Sequence, residues 1–150
     1  MRLLLAAGAC ALVLAAPSAG LAEPGTWTYE YTNGVATATE RDDRGRTTAT
    51  ITCRGPTGDI VLSDFTLARA ARRATQSEVR IGAIAVLVPS RLEGRGRNRA
   101  LTISLPQRPP ILAAGQPTDQ LSVTVNSQSR TLSEGAPQKM REVAYACWGS

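Results

Sequence analysis

A chain of 150 residues, 43% of them hydrophobic, is long enough for one domain with a real core, and its net charge of +5 is compatible with an anionic partner without demanding one. Histidine is absent, which excludes Ser-His-Asp and Cys-His catalytic arrangements and histidine-based zinc sites. The basic charge is nearly all arginine, with Lys139 the only lysine.

Met1-Arg2 followed by the uncharged run Leu3 to Ala16 reads as the start of a Sec signal peptide, too short to span a bilayer. Small residues at Gly20 and Ala22 place cleavage after Ala22. Residues 1–22 are then a cleaved signal and residues 23–150 a single globular domain, periplasmic or secreted, with no later hydrophobic run long enough to cross a membrane. A lipoprotein reading on Cys10 lacks the upstream leucine and leaves almost no hydrophobic segment before it. Cys10 departs with the signal, so Cys53 and Cys147 enter an oxidising compartment, where an even count favours a disulfide over two free thiols. Closing a loop of about 94 residues is worth about 4–5 kcal/mol in the chain-entropy model.

Thr26 to Thr32 alternates aromatic and polar residues, Asn33-Gly34 is a strong two-residue hairpin signal, and Val35 to Glu40 runs back. That loop sets Tyr31 opposite Ala36, Tyr29 opposite Ala38 and Trp27 opposite Glu40. A turn at Asp42 to Gly45, closed with Arg41 opposite Arg46, sets Ala38 against Ala49 and Ala36 against Ile51. A third turn, Gly55 to Gly58, sets Cys53 against Ile60 and Ile51 against Leu62. Trp27, Tyr29, Tyr31, Ala36, Ala38, Ala49, Ile51, Cys53, Ile60 and Leu62 then share one face of a four-stranded meander. A one-residue slip at any turn would scatter them across both faces.

Leu67 to Ala74 fits two turns of helix or a mobile connector. Glu78 to Val88 reads as one strand buried on both sides, with a bulge at Gly82 and an end at Pro89. Arg91 to Arg99 is a basic, glycine-containing loop, and Leu101 to Leu105 a further strand. The proline-rich stretch from Pro106 has room for one helical turn at Ile111 to Ala114. Leu121 to Val125 alternates, Asn126 to Ser129 turns, and Arg130 to Leu132 returns as a short strand. Met140, Val143, Ala144 and Cys147 fall at helical spacing behind Pro137, so Cys147 lies on the apolar stripe of a terminal helix. The expected fold is α+β: a mainly antiparallel sheet, the N-terminal meander plus further strands, with a C-terminal helix tethered by a disulfide.

An early tryptophan at Trp27, the Thr-x-Thr-Cys-Arg strand ending at Cys53, and the closing Leu-Ser-x-Gly-Ala-x-x-x-Met-x-x-Val-x-x-Ala-Cys-Trp from Leu132 to Trp148 resemble the VasI-like, type VI secretion-associated group of small exported bacterial proteins and neighbouring uncharacterised families. The chain departs from that layout at Leu132, where the group usually has phenylalanine, and over Leu67 to Pro117. The resemblance implies a periplasmic α+β domain with one disulfide and carries no catalytic residue across.

The chain has no Gly-x-Ser-x-Gly, no phosphate loop of the Gly-x-x-x-x-Gly-Lys type and no Cys-x-x-Cys. No catalytic residue, metal or cofactor is therefore expected, and a carboxylate-only enzyme is the remaining catalytic alternative. Asp42-Asp43 reads either as a carboxylate pair or as a solvated turn among arginines. Asp64 falls on the apolar face opposite Ala49, as a buried site carboxylate or as the partner of an arginine. Trp148 reads as an exposed anchor or as a cover for the disulfide. The sharpest binding candidates are Arg91, Arg95, Arg97 and Arg99, because glycines let guanidiniums and backbone amides converge on a phosphate or carboxylate. No aromatic lies in that loop to stack a base, so nucleic acid is not the expected partner. An envelope protein or anionic surface is.

Overall fold

The computed structural model describes residues 25–55 and 58–149. The expected signal peptide and its cleavage site lie outside the described residues. The meander forms as β1 (Thr26–Thr32), β2 (Val35–Arg41), β3 (Thr47–Arg54) and β4 (Ile60–Asp64). Asn33 and Gly34 both take positive φ, as a primed two-residue turn requires, and Tyr31, Tyr29 and Trp27 face Ala36, Ala38 and Glu40.

The next hairpin differs from the expected register. Arg41 faces Thr47 rather than Arg46, and a bulge at Glu40/Arg41 brings Glu40 opposite Ala49, Ala38 opposite Ile51 and Ala36 opposite Cys53. Asp42 causes the change: its N–H donates to the Arg46 carbonyl, and its Oδ1 accepts from the Arg44 and Arg46 N–H groups, tightening the turn on itself. The shift is two residues, one full side-chain period, so every member of the inner face stays on that face. Ile51 pairs with Leu62 and Ala49 with Asp64, as expected.

The second half brings β5 (Gln76–Ile81), β6 (Ile84–Glu93), β7 (Ala100–Leu105), β8 (Leu121–Val125) and β9 (Gln128–Thr131) into one antiparallel sheet of order β1-β2-β3-β4-β7-β6-β5-β8-β9. Glu78 to Val88 is two strands, not one. Gly82, at φ +56°, turns the chain with Ala83, so Ile81 pairs with Ile84. Nor is β6 buried on both sides, since Leu87 is 70% exposed. Pro89 does not end it either: it sits where β6 exchanges β5 for β7 as its neighbour, a place where a missing N–H breaks no continuous ladder. Likewise Asn126-Ser127 is a two-residue turn, and β9 begins at Gln128.

Among the described residues there are two α-helices, α1 (Pro110–Ala114) and α2 (Ala136–Trp148). With so little helix the α+β description fits loosely; the molecule is a curled sheet, a half-barrel, with α2 laid along its inner face. Met140, Val143, Ala144 and Cys147 are all buried there, and the small side chains of Ala36 and Ala38 leave room for the helix backbone. Cys53 and Cys147 form the expected disulfide, pinning helix to sheet and consistent with a secreted or periplasmic protein. Tyr29 and Tyr31, expected on the same face, are not buried with that core: they are 39% and 57% exposed. Among the described residues no helix is long and apolar enough to cross a membrane.

The sheet edges are drawn together by polar contacts. The Trp27 indole N–H donates to the Ser133 carbonyl (3.4 Å), and the Ser133 N–H donates to Glu40 Oε1 (2.7 Å). A charged triad lies just inside. Arg130, on β9, donates to Glu40 Oε2 at 2.5 Å and to Asp64 Oδ2 at 2.7 Å, and all three residues are at most 5% exposed. Burial alone would raise the Glu40 carboxyl's pKa, but the Thr48 hydroxyl, the Ser133 N–H and the Arg130 charge together hold it below the usual range.

Candidate arginine-lined anion site

The connector after β4 is a single 3-10 turn, Leu67–Arg69, followed by tight turns to Arg73, rather than two turns of helix. Leu67, Ala68 and Ala71 are buried, which leaves Arg69 and Arg72 facing outward. Its start is held by Asp64, whose Oδ1 accepts from the Thr66 N–H, the Thr66 hydroxyl and the Leu67 N–H, each at 2.8 Å. Its end is held by Asn126, whose side-chain amide donates to the Ala70 and Arg72 carbonyls at 2.9 and 3.1 Å. One carboxylate thus serves two structures: Oδ2 binds the buried Arg130, and Oδ1 orders the connector.

The basic loop between β6 and β7 is likewise shaped by its backbone. Gly94 has φ +77°, and a Cβ there would lie 2.1 Å from the Asn98 carbonyl oxygen, so only glycine fits. A 3-10 turn over Gly96–Asn98 follows. This loop and the connector meet in a groove of about 950 Å³ lined by Arg46, Arg69, Arg72, Arg97 and Arg99, with Phe65 and Ala68 as apolar wall.

Of the four arginines singled out by sequence, Arg97 and Arg99 line this groove and Arg95 does not. Arg91 lies on the exposed face of β6, bound through Nε to Glu93 at 2.6 Å, and that bond holds the Glu93 carboxyl below its usual range. Arg46 is matched by Asp42 at 2.6 Å, so the Asp42-Asp43 turn is occupied by its own arginine. Arg69, Arg72, Arg97 and Arg99 form no ion pair among the described residues. Four uncompensated guanidiniums in one concave surface give a positive field with forked donors suited to phosphate or carboxylate oxygens.

Arg69 and Arg72 escaped sequence reasoning because they sit in a connector with no regular period and join the loop only through the sheet. Phe65 escaped for the same reason, and it supplies the aromatic surface the loop lacks. The buried triad had a legible signal: Glu40, Asp64 and Arg130 each hold an inward position of their strands. Asp64 is indeed buried opposite Ala49, with Arg130 as its partner. Trp148 is half-buried beside the disulfide, its indole N–H donating to the Gly58 carbonyl at 2.8 Å. Among the described residues no group of three or more cysteines or carboxylates is placed to hold a metal.

Comparison of the chain with protein-family models, with curated proteins and with solved structures returns no match.

Proposed function

We propose that this protein is an exported, non-enzymatic accessory domain that binds an anionic component of the cell envelope through the groove of Arg69, Arg72, Arg97 and Arg99. The observation that carries the reading is the convergence of these four side chains, from two separate segments, without a carboxylate among them. Arginine is the side chain best suited to this task, since its planar fork meets phosphate and carboxylate bidentately. The ligand is a glycan or a lipid headgroup bearing such groups. Thr47 is the only neutral hydroxyl side chain in the groove wall, so recognition rests on charge more than on a pattern of sugar hydroxyls. Export is supported by the cysteine pair and the N-terminal sequence, and an accessory role by the VasI-like layout and the missing catalytic sets.

The test is retention of the purified protein on immobilised polygalacturonate and on phosphatidylglycerol vesicles across a salt series. Replacing all four arginines with glutamine should abolish retention on at least one of them, and wild-type retention should fall steeply with salt. Equal retention of wild type and variant, or tighter binding of wild type to a single-stranded oligonucleotide than to either probe, would overturn it.

A further inference from the structure

A second cleft, of about 280 Å³, opens between α1 and α2 and shares no residue with the arginine groove. Its walls are apolar, built from Pro109, Leu112, Ala144 and Trp148, and its charged members are Arg108 and Arg141. No acidic residue lines it.

Arg141 is committed on one side only. Its Nε donates to the Leu112 carbonyl at 3.3 Å and its Nη2 to the Gly115 carbonyl, which ties the end of α1 to α2. Its Nη1 is buried and meets no acceptor among the described residues. A buried donor left unpaired is unfavourable, more so on a charged group; closed off where it sits, it pairs with a bound oxygen only when the side chain turns toward the cleft that it lines. Arg108 has φ +49°, a left-handed conformation that non-glycine residues seldom hold, and it forms no ion pair among the described residues. Tyr145, also on this cleft, is 67% exposed.

We propose that this cleft binds a small amphipathic carboxylate, with its apolar body against Leu112, Ala144 and Trp148 and its carboxylate between Arg108 and Arg141. The chemistry follows from the lining. Mostly apolar walls with a few convergent polar groups are the usual make-up of a small-molecule site, and the volume lies near the lower end of about 300–1,000 Å³ for such sites. A polyanion would leave charges against Leu112 and Ala144. A neutral alcohol would leave the guanidiniums without a counter-charge. A planar carboxylate on a short apolar chain satisfies both.

The experiment uses the two tryptophans of the intact chain as reporters. Octanoate, 1-octanol and acetate are each titrated into ¹⁵N-labelled protein while the indole N–H signals are followed. Octanoate should shift the Trp148 signal saturably and leave Trp27 in place, with 1-octanol and acetate weaker by about tenfold or more. Arg141→Gln should weaken octanoate by about tenfold, and Arg108→Gln, a change at an exposed position outside the α1–α2 hydrogen bonds, should weaken it by about the same factor with an unchanged melting temperature. The proposal is overturned by equal binding of 1-octanol and octanoate, by an octanoate affinity unaltered in Arg108→Gln, or by the absence of a saturable shift of the Trp148 signal. None of these results bears on the arginine groove, since the two sites share no side chain.

Discussion

The Arg130 guanidinium donates to the Asp64 carboxylate at 2.7 Å across 66 positions of sequence, and the other oxygen of the same carboxylate caps the turn that presents Arg69. The charge network inside the half-barrel and the arginine groove outside it therefore meet at one side chain.

Removing Arg130 leaves two buried carboxylates without a counter-ion. Arg130→Met should destabilise the protein by about 3–5 kcal/mol, the usual result of breaking a buried ion pair from one side. A denaturant midpoint within error of wild type would show that the network is solvated in solution.

Acid should weaken the fold through Glu40. Its carboxyl is held below its ordinary pKa in the folded state, so its contribution is fully present above about pH 4.3, the ordinary value, and is lost as pH falls through the lower folded value. Denaturant midpoints measured from pH 7 to pH 3 should fall in wild type below about pH 4.3 and fall less in Glu40→Gln. Parallel curves for the two proteins would remove Glu40 from the account.

Cys53→Ser and Cys147→Ser each lose the same bond, which closes a separation of 94 residues. Each should lower stability by about 4–5 kcal/mol on the chain-entropy model, and the double variant should be no worse than either single one. Intact-mass measurement with and without reductant, after alkylation, checks the bond itself. Additive losses, or free thiols in the unreduced sample, would contradict it.

Asn126 pins the connector from the β8–β9 turn, where it holds φ +45°. Asn126→Gly keeps that backbone conformation accessible while removing the amide. It should reduce stability by only about 1 kcal/mol, speed amide exchange across residues 67–73, and weaken retention on polygalacturonate or phosphatidylglycerol. Unchanged exchange in that segment would mean that Asp64 alone orders it.

The meander, its inward face and the terminal helix stripe were legible in the sequence because each is set locally, and the Cys53–Cys147 pairing, across 94 residues, because these are the only two cysteines after residue 22. Side-chain period and turn chemistry act within a few residues, and a two-residue register shift at Arg41 left the inner face intact because the period is two. What failed locally was the Glu78 to Val88 run: continuous apolar sequence does not distinguish one buried strand from a hairpin, and Gly82 serves as a bulge in one and a turn in the other. Curling of the sheet, by contrast, is a property of all nine strands together. Only that curvature brings β9 over β2 and β4 so that Arg130 reaches Glu40 and Asp64, and only the sheet's strand order sets the connector of Arg69 and Arg72 beside the loop of Arg97 and Arg99. Sequence by itself determined the N-terminal meander, the staple and a basic loop. Tertiary structure decided which arginines are neutralised and which share a groove, because ion pairing depends on distances of a few ångströms between residues far apart in the chain.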